Sequence, residues 1–146
     1  MKSLTLIVKS KQRNSDGAGS SIYAMLNGNN FFSLPFRLTK NTKLQWFQFR
    51  INHKILSTNS FLQKIKLKDT NTCTFCRSET ETIERILWDC EIVQALLDDF
   101  VTFCSNMIHR HFPFAKITFI PGSCEKKDTV KNRITLQIKY HIYGMR

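Results

Sequence analysis

Apolar residues recur at helical spacing in three stretches of the chain and at strand spacing in a fourth. From Asn41 to Leu56, the residues Leu44, Phe47, Ile51 and Ile55 stand three, four and four apart, which predicts an amphipathic helix with that face inward. Its other faces carry Lys43, Gln45, Gln48, Arg50, Asn52 and Lys54, read as outward-facing long polar side chains. Trp46 and Phe49 interleave with them and are expected to widen the buried stripe, because stacking on a base requires an exposed ring. His53 belongs to the helix surface or its packing. Ser57-Thr58-Asn59-Ser60 breaks this helix and offers side-chain oxygens to start another, in which Phe61, Leu62 and Ile65 follow.

The second long pattern runs from about Thr80 to Phe100, with Ile83, Ile86, Leu87, Cys90, Val93, Leu96, Leu97 and Phe100 inward. Glu79, Glu81 and Glu84 fall near its N-terminal end, where the helix dipole favours negative charge, and are expected to face water. A break near Asp89-Cys90 is compatible with the pattern. A third helix is predicted from Asp128 as N-cap, with Val130, Ile134, Ile138 and Ile142 on one face. Between them, Ile117 and Phe119 alternate with Lys116 and Thr118 ahead of Pro121-Gly122, which predicts a short strand over 115–120 and a turn. Ile22 to Leu26 suits a short helix stopped by Asn27-Gly28-Asn29-Asn30. Residues 9–21 lack apolar periodicity, so 1–21 is read as a flexible basic segment and 22–146 as one folded domain. The expected class is mainly α: a small helical domain with a knuckle-like cysteine loop and a short β segment.

Composition supports one real core, since 42% of the 146 residues are hydrophobic and twelve are Phe. No apolar run approaches the roughly 18 residues a membrane span needs, and the opening apolar stretch is too short for a secretion signal. Five cysteines, an odd number, point to reduced thiols or metal ligands and an intracellular home, nuclear or cytoplasmic, rather than a disulfide framework.

Charge placement says more than the net value of +11. Residues 1–68 hold twelve Lys/Arg and the single acid Asp16, whereas 69–146 hold ten of each sign. So positive a half attracts phosphate polyanions and releases their counterions. The candidate phosphate contacts are Arg37, Lys40, Lys43, Arg50, Lys54, Lys64, Lys66 and Lys68, and the expected partner is RNA or DNA, not a membrane.

Cys73-Thr74-Phe75-Cys76 has the C-x2-C spacing at which two thiolates reach one tetrahedral zinc, and Cys90 lies fourteen residues further on. A closed site needs a fourth ligand. These cysteines, with Leu44 through Asn59 and with Glu81-Thr82-Ile83-Glu84-Arg85-Ile86-Leu87-Trp88-Asp89-Cys90, resemble the C-terminal region of LINE-type non-LTR retrotransposon polyproteins, which follows the reverse-transcriptase domain. Asn132 through Tyr143 is similar to the family's final helix. The resemblance implies a reverse-transcriptase zinc-binding domain that helps hold element RNA or target DNA, with zinc as cofactor, a reverse transcriptase as possible partner, and Cys73, Cys76 and Cys90 as three ligands. Arg85 stands where the family has histidine, and arginine stays protonated and cannot ligate. Cys104, His109, His111, His53 or water remain as sources of a fourth ligand; without metal, the thiols pack as small hydrophobes.

Nothing points to catalysis. His109-Arg110-His111 places two imidazoles on different sides of a helix, and Asp98-Asp99 lies in an acidic helix without polymerase strand motifs. No phosphate loop or nucleophile elbow is present. Two readings follow: a non-catalytic nucleic-acid-binding fragment of a retroelement polyprotein, or a protein-interaction module or inert remnant that packed against a polymerase.

Overall fold

The computed structural model describes residues 29–109, 111 and 113–146; the expected arm at 1–21 and short helix at 22–26 lie outside them. The described residues form α1 (Asn29–Leu38), α2 (Thr42–Asn52), α3 (Asn59–Lys64), a π-helical turn (Arg85–Asp89), α4 (Glu91–Ile108), the single turn α5 (Lys116–Phe119), a 3-10 turn (Lys126–Asp128) and α6 (Thr129–Gly144). The mainly helical class is as expected. The β content among the described residues is one antiparallel bridge, Thr72 to Thr80, which closes the cysteine loop.

Local chemistry sets the boundaries. Asn41 caps α2 by accepting from the backbone N–H of Lys43 and Leu44, and Thr58 caps α3 by accepting from Phe61 N at 3.3 Å. These side chains satisfy donors that a helix start leaves unpaired. α2 stops as Lys54 turns into the left-handed region at φ 58°, which sends Ile55 out to solvent instead of inward. The Asn29-Asn30 pair opens α1 rather than ending a helix before it. Asp128 precedes α6 as expected, without a side-chain capping bond.

α1 packs on α2 and α6, while α6 also meets the π-helical turn. Leu34, Leu38, Leu44, Phe47, Ile51, Leu56, Ile86, Leu87, Val93, Leu97, Leu136 and Ile142 interlock in one cluster. Full burial of each such side chain stabilises by about 1.5–3 kcal/mol before entropy is counted. Cys73 and Cys90 belong to the same cluster, so the cysteine loop is anchored in the core. No helix among the described residues is long and apolar enough to cross a membrane.

Four further expectations are corrected. Residues 116–119 form a helical turn, not a strand; Phe119 and Ile120, adjacent in sequence, are both buried, which strand alternation forbids. Gln48 and Asn52 are buried, because α2 is covered by α1, α6 and the segment around Ile120 rather than by one neighbour. Gln48 Nε2 donates to Asn52 Oδ1 at 2.7 Å and to Ile120 O at 3.1 Å, while Asn52 Nδ2 donates to Phe31 O at 3.4 Å. Val130 is exposed, and α6 instead buries Asn132, Thr135, Leu136 and Lys139 beside Ile138 and Ile142. The break at Cys90 is real: its extended ψ of 131° separates the π-helical turn from α4. The fourth correction is Glu81, which is wholly buried.

Candidate functional site

The loop from Asn71 to Glu81 is a tight β-like hairpin. Cys73 N donates to Glu79 O at 2.6 Å, Arg77 N to Cys73 O at 2.9 Å and Glu81 N to Asn71 O at 2.7 Å. That turn bond between Arg77 and Cys73 folds residues 74–76 so that Cys76 comes back beside Cys73, and Arg77 then takes the left-handed conformation at φ 55° to send the chain on toward Glu81. Buried Glu81 fastens the loop from within. One of its oxygens accepts from Thr74 N at 2.7 Å, Thr74 Oγ1 at 2.6 Å and Asn59 Nδ2 at 3.2 Å. The other accepts from Asn59 N at 2.8 Å and pairs with Arg146 Nε at 3.1 Å. A buried carboxylate this fully bonded is compensated for its desolvation, and it ties the cysteine loop to the start of α3 and the end of the chain.

Against this scaffold Cys90, held by Cys90 N donating to Arg85 O at 3.0 Å, joins Cys73 and Cys76. The three Sγ atoms all lie within 4.8 Å of one another, near the roughly 3.8 Å that tetrahedral zinc–thiolate bonds of about 2.3 Å imply. Cys73 and Cys90 are buried and Cys76 half-buried. The Ser78 hydroxyl, which donates to Cys76 Sγ at 3.2 Å, and the Arg85 guanidinium together pull the Cys76 thiol down to about 5. Burial pushes the Cys73 thiol up.

Arg85, expected to replace a ligand, lies at the cluster itself. Its Nη2 donates to Cys76 Sγ at 3.5 Å and its Nη1 pairs with Glu79 at 2.7 Å, while its Nε is buried without a partner. The sulfur set fits a soft divalent metal held by three thiolates. Three thiolates and one zinc carry a net negative charge, which the adjacent guanidinium offsets. Cys104, His53, His109 and His111 are not members of the cluster; Cys104 is buried on α4, and the three histidines are exposed.

All eight basic residues singled out above, Arg37, Lys40, Lys43, Arg50, Lys54, Lys64, Lys66 and Lys68, are exposed. The structure brings Lys43 and Arg50 to one groove between α2 and α6. Lys40 lies in an adjacent cleft with Arg133. Lys64, Lys66 and Lys68 follow on and after α3, where Lys68 Nζ donates to Asn59 Oδ1 at 2.7 Å. Trp46 is 53% exposed and Phe49 half-buried, so the expected buried stripe is narrower than the pattern implied. His53 bridges Phe49 and Phe32 at ring distances of 4.0 and 4.7 Å. Two functional candidates escaped the sequence reading: Glu81, whose partner Arg146 is distant in sequence, and Tyr140, which helical periodicity puts on the face opposite Ile138 and Ile142. Asp98 and Asp99 are exposed on α4.

A family model described as zinc-binding in reverse transcriptase matches residues 20–96, more than half of the chain. No curated protein and no solved structure matches it.

Proposed function

Because this chain belongs to the zinc-binding domain family of reverse transcriptases, we propose that it is a non-catalytic part of a LINE-type retrotransposon polyprotein that holds RNA or DNA by its phosphate backbone. The observation that carries the reading is the exposure of all eight lysines and arginines singled out above in a segment, residues 1–68, whose sequence contains one acid. Ammonium and guanidinium groups on exposed helix faces contact phosphate oxygens without reading sequence, and binding is driven by counterion release.

The residues Cys73, Cys76 and Cys90 would hold a zinc ion, which supplies a structural cross-link when bound. Glu81 and Thr74 keep the loop in shape, and α2 presents Lys43 and Arg50 on the rigid hairpin it forms with α1. The work assigned to the protein is to bind and position a polyanion for a neighbouring polymerase domain; its own residues carry no proton or group transfer.

The test is charge reversal. Lys43→Glu, Arg50→Glu and Lys54→Glu together should abolish retention of the chain on heparin or on a labelled oligonucleotide. Unchanged affinity would refute the role of α2 and the turn that follows it. A second reading rests on α4, where Ile92, Phe103, Met107 and Ile108 are exposed: an apolar strip of this kind suits packing against a polymerase domain. Self-association on gel filtration, with no nucleic-acid binding, would favour it.

A further inference from the structure

The groove between α2 and α6 joins charge to exposed aromatic surface. It has a volume of about 560 Å³ and is lined by Lys43, Trp46, Phe47, Arg50, Tyr140 and Tyr143, with Thr42 and Gly144 at its end. That volume falls in the range of roughly 300–1,000 Å³ typical of small-ligand sites. No carboxylate among the described residues lines it.

Its rings are braced. Trp46 stands edge-on to Phe49 at 5.3 Å and 76°, and Phe49 in turn lies on His53 at 4.0 Å. Tyr140 meets buried Phe47 edge-on at 5.3 Å and 80°. Tyr143 is fixed by its hydroxyl, which donates to Ser57 O at 3.2 Å, and by Arg146 over its ring at 5.1 Å. Yet Trp46 remains 53% and Tyr140 38% exposed. Two large rings thus pack edge-on against neighbouring aromatics and stay partly uncovered side by side with two cations.

We propose that this groove takes unpaired bases of a single-stranded nucleic acid, with Trp46 and Tyr140 as stacking platforms and Lys43 and Arg50 on the flanking phosphates. The inference rests on the phosphate-binding reading above and specifies its substrate class. Exposed rings interleaved with cations are what single-strand binders use, since every base has a stackable face. A duplex keeps its bases paired and offers the groove only phosphates, so the rings give preference for the unpaired strand.

The experiment measures binding of the full chain to a labelled oligothymidine and to a duplex of equal length at one salt concentration. Trp46→Ala should weaken single-strand binding about ten-fold, the size of losing one stacked base, with duplex affinity unchanged, and Trp46→Phe should recover part of the loss. Tyr140→Ala should act in the same direction. Circular dichroism of each variant shows that the fold persists. If both variants bind the single strand as well as the unaltered chain while Lys43→Glu with Arg50→Glu abolishes binding, the groove assignment is wrong and the phosphate reading stands. If the unaltered chain binds neither strand form, both fall. A dimer that Trp46→Ala converts to monomer, with no effect on the oligonucleotide, would assign the groove to a second copy and overturn the proposal.

Discussion

Glu81 and Arg146 are joined by an ion pair of 3.1 Å in which the carboxylate is fully buried and the guanidinium partly so. Arg146 also donates to Ser57 O and to Asn59 Oδ1, so the last helix, the start of α3 and the cysteine loop share one polar knot. Removing one member of such a pair leaves the other buried and uncompensated. Glu81→Ala should therefore cost about 3–5 kcal/mol in urea unfolding. Arg146→Ala should cost less, because Thr74 and Asn59 still bond the carboxylate. Equal and small losses from both changes would show that the knot is not central.

Arg85 lies at the side of Cys76, next to the three-thiol cluster. Arg85→His replaces a permanent cation with a ligand and should raise zinc affinity, measured by chelator competition and by native mass spectrometry. Cys90→Ser should lower it. An Arg85→His chain with unchanged zinc affinity would mean that position 85 does not face the fourth corner.

Lys139 is buried among Gln48 Oε1, Ile120 O and the Phe119 ring. Burial pulls its amine from 10.5 down to about 7. The unfolded chain then binds more protons than the folded one between those two values, so this group makes stability rise as pH climbs from about 7 toward 10.5. Below about 7 both states are protonated and the desolvation penalty is constant. Lys139→Met should flatten that slope in denaturation series taken across the window. A slope that survives the substitution would have to come from another group.

Gly122 sits at φ 89°, and a Cβ there would lie 2.7 Å from Leu34 Cδ2. Its N–H is committed to Thr118 O at 3.0 Å, which holds the turn between α5 and α6 in place. Gly122→Ala should lower stability by about 1–3 kcal/mol through left-handed strain and the shift forced on Leu34. A neutral result in thermal unfolding would mean that the turn relaxes freely.

Leu44, Phe47 and Ile51 were legible because an inward stripe at helical spacing is a local property, and Cys73, Cys76 and Cys90 because ligand spacing is one too. Gln48, Asn52 and Lys139 were not legible as buried residues. Their burial depends on long-range carbonyl partners such as Ile120 O and Phe31 O, and polarity alone assigns them to water. α1 was hidden for a different reason: Asn27-Gly28-Asn29-Asn30 carries the residues that both end and begin helices, and only packing of Phe31, Leu34 and Leu38 against α2 and α6 decides between them. The 115–120 segment alternates like a strand, but an isolated strand has no ladder to pair with, and a helical turn buries Phe119 and Ile120 together. Aromatic residues on a helix usually point inward, but the contact between α2 and α6 leaves Trp46 exposed.

Salt dependence of oligonucleotide binding tests most directly the proposal that exposed lysines and arginines hold a phosphate backbone. Each phosphate neutralised on duplex DNA should contribute about −0.9 to the slope of log K against log salt. A steep slope that becomes shallower as Lys43, Arg50 and Lys54 are removed is the predicted result. Binding that is absent at low salt, or present with a slope near zero, would contradict it.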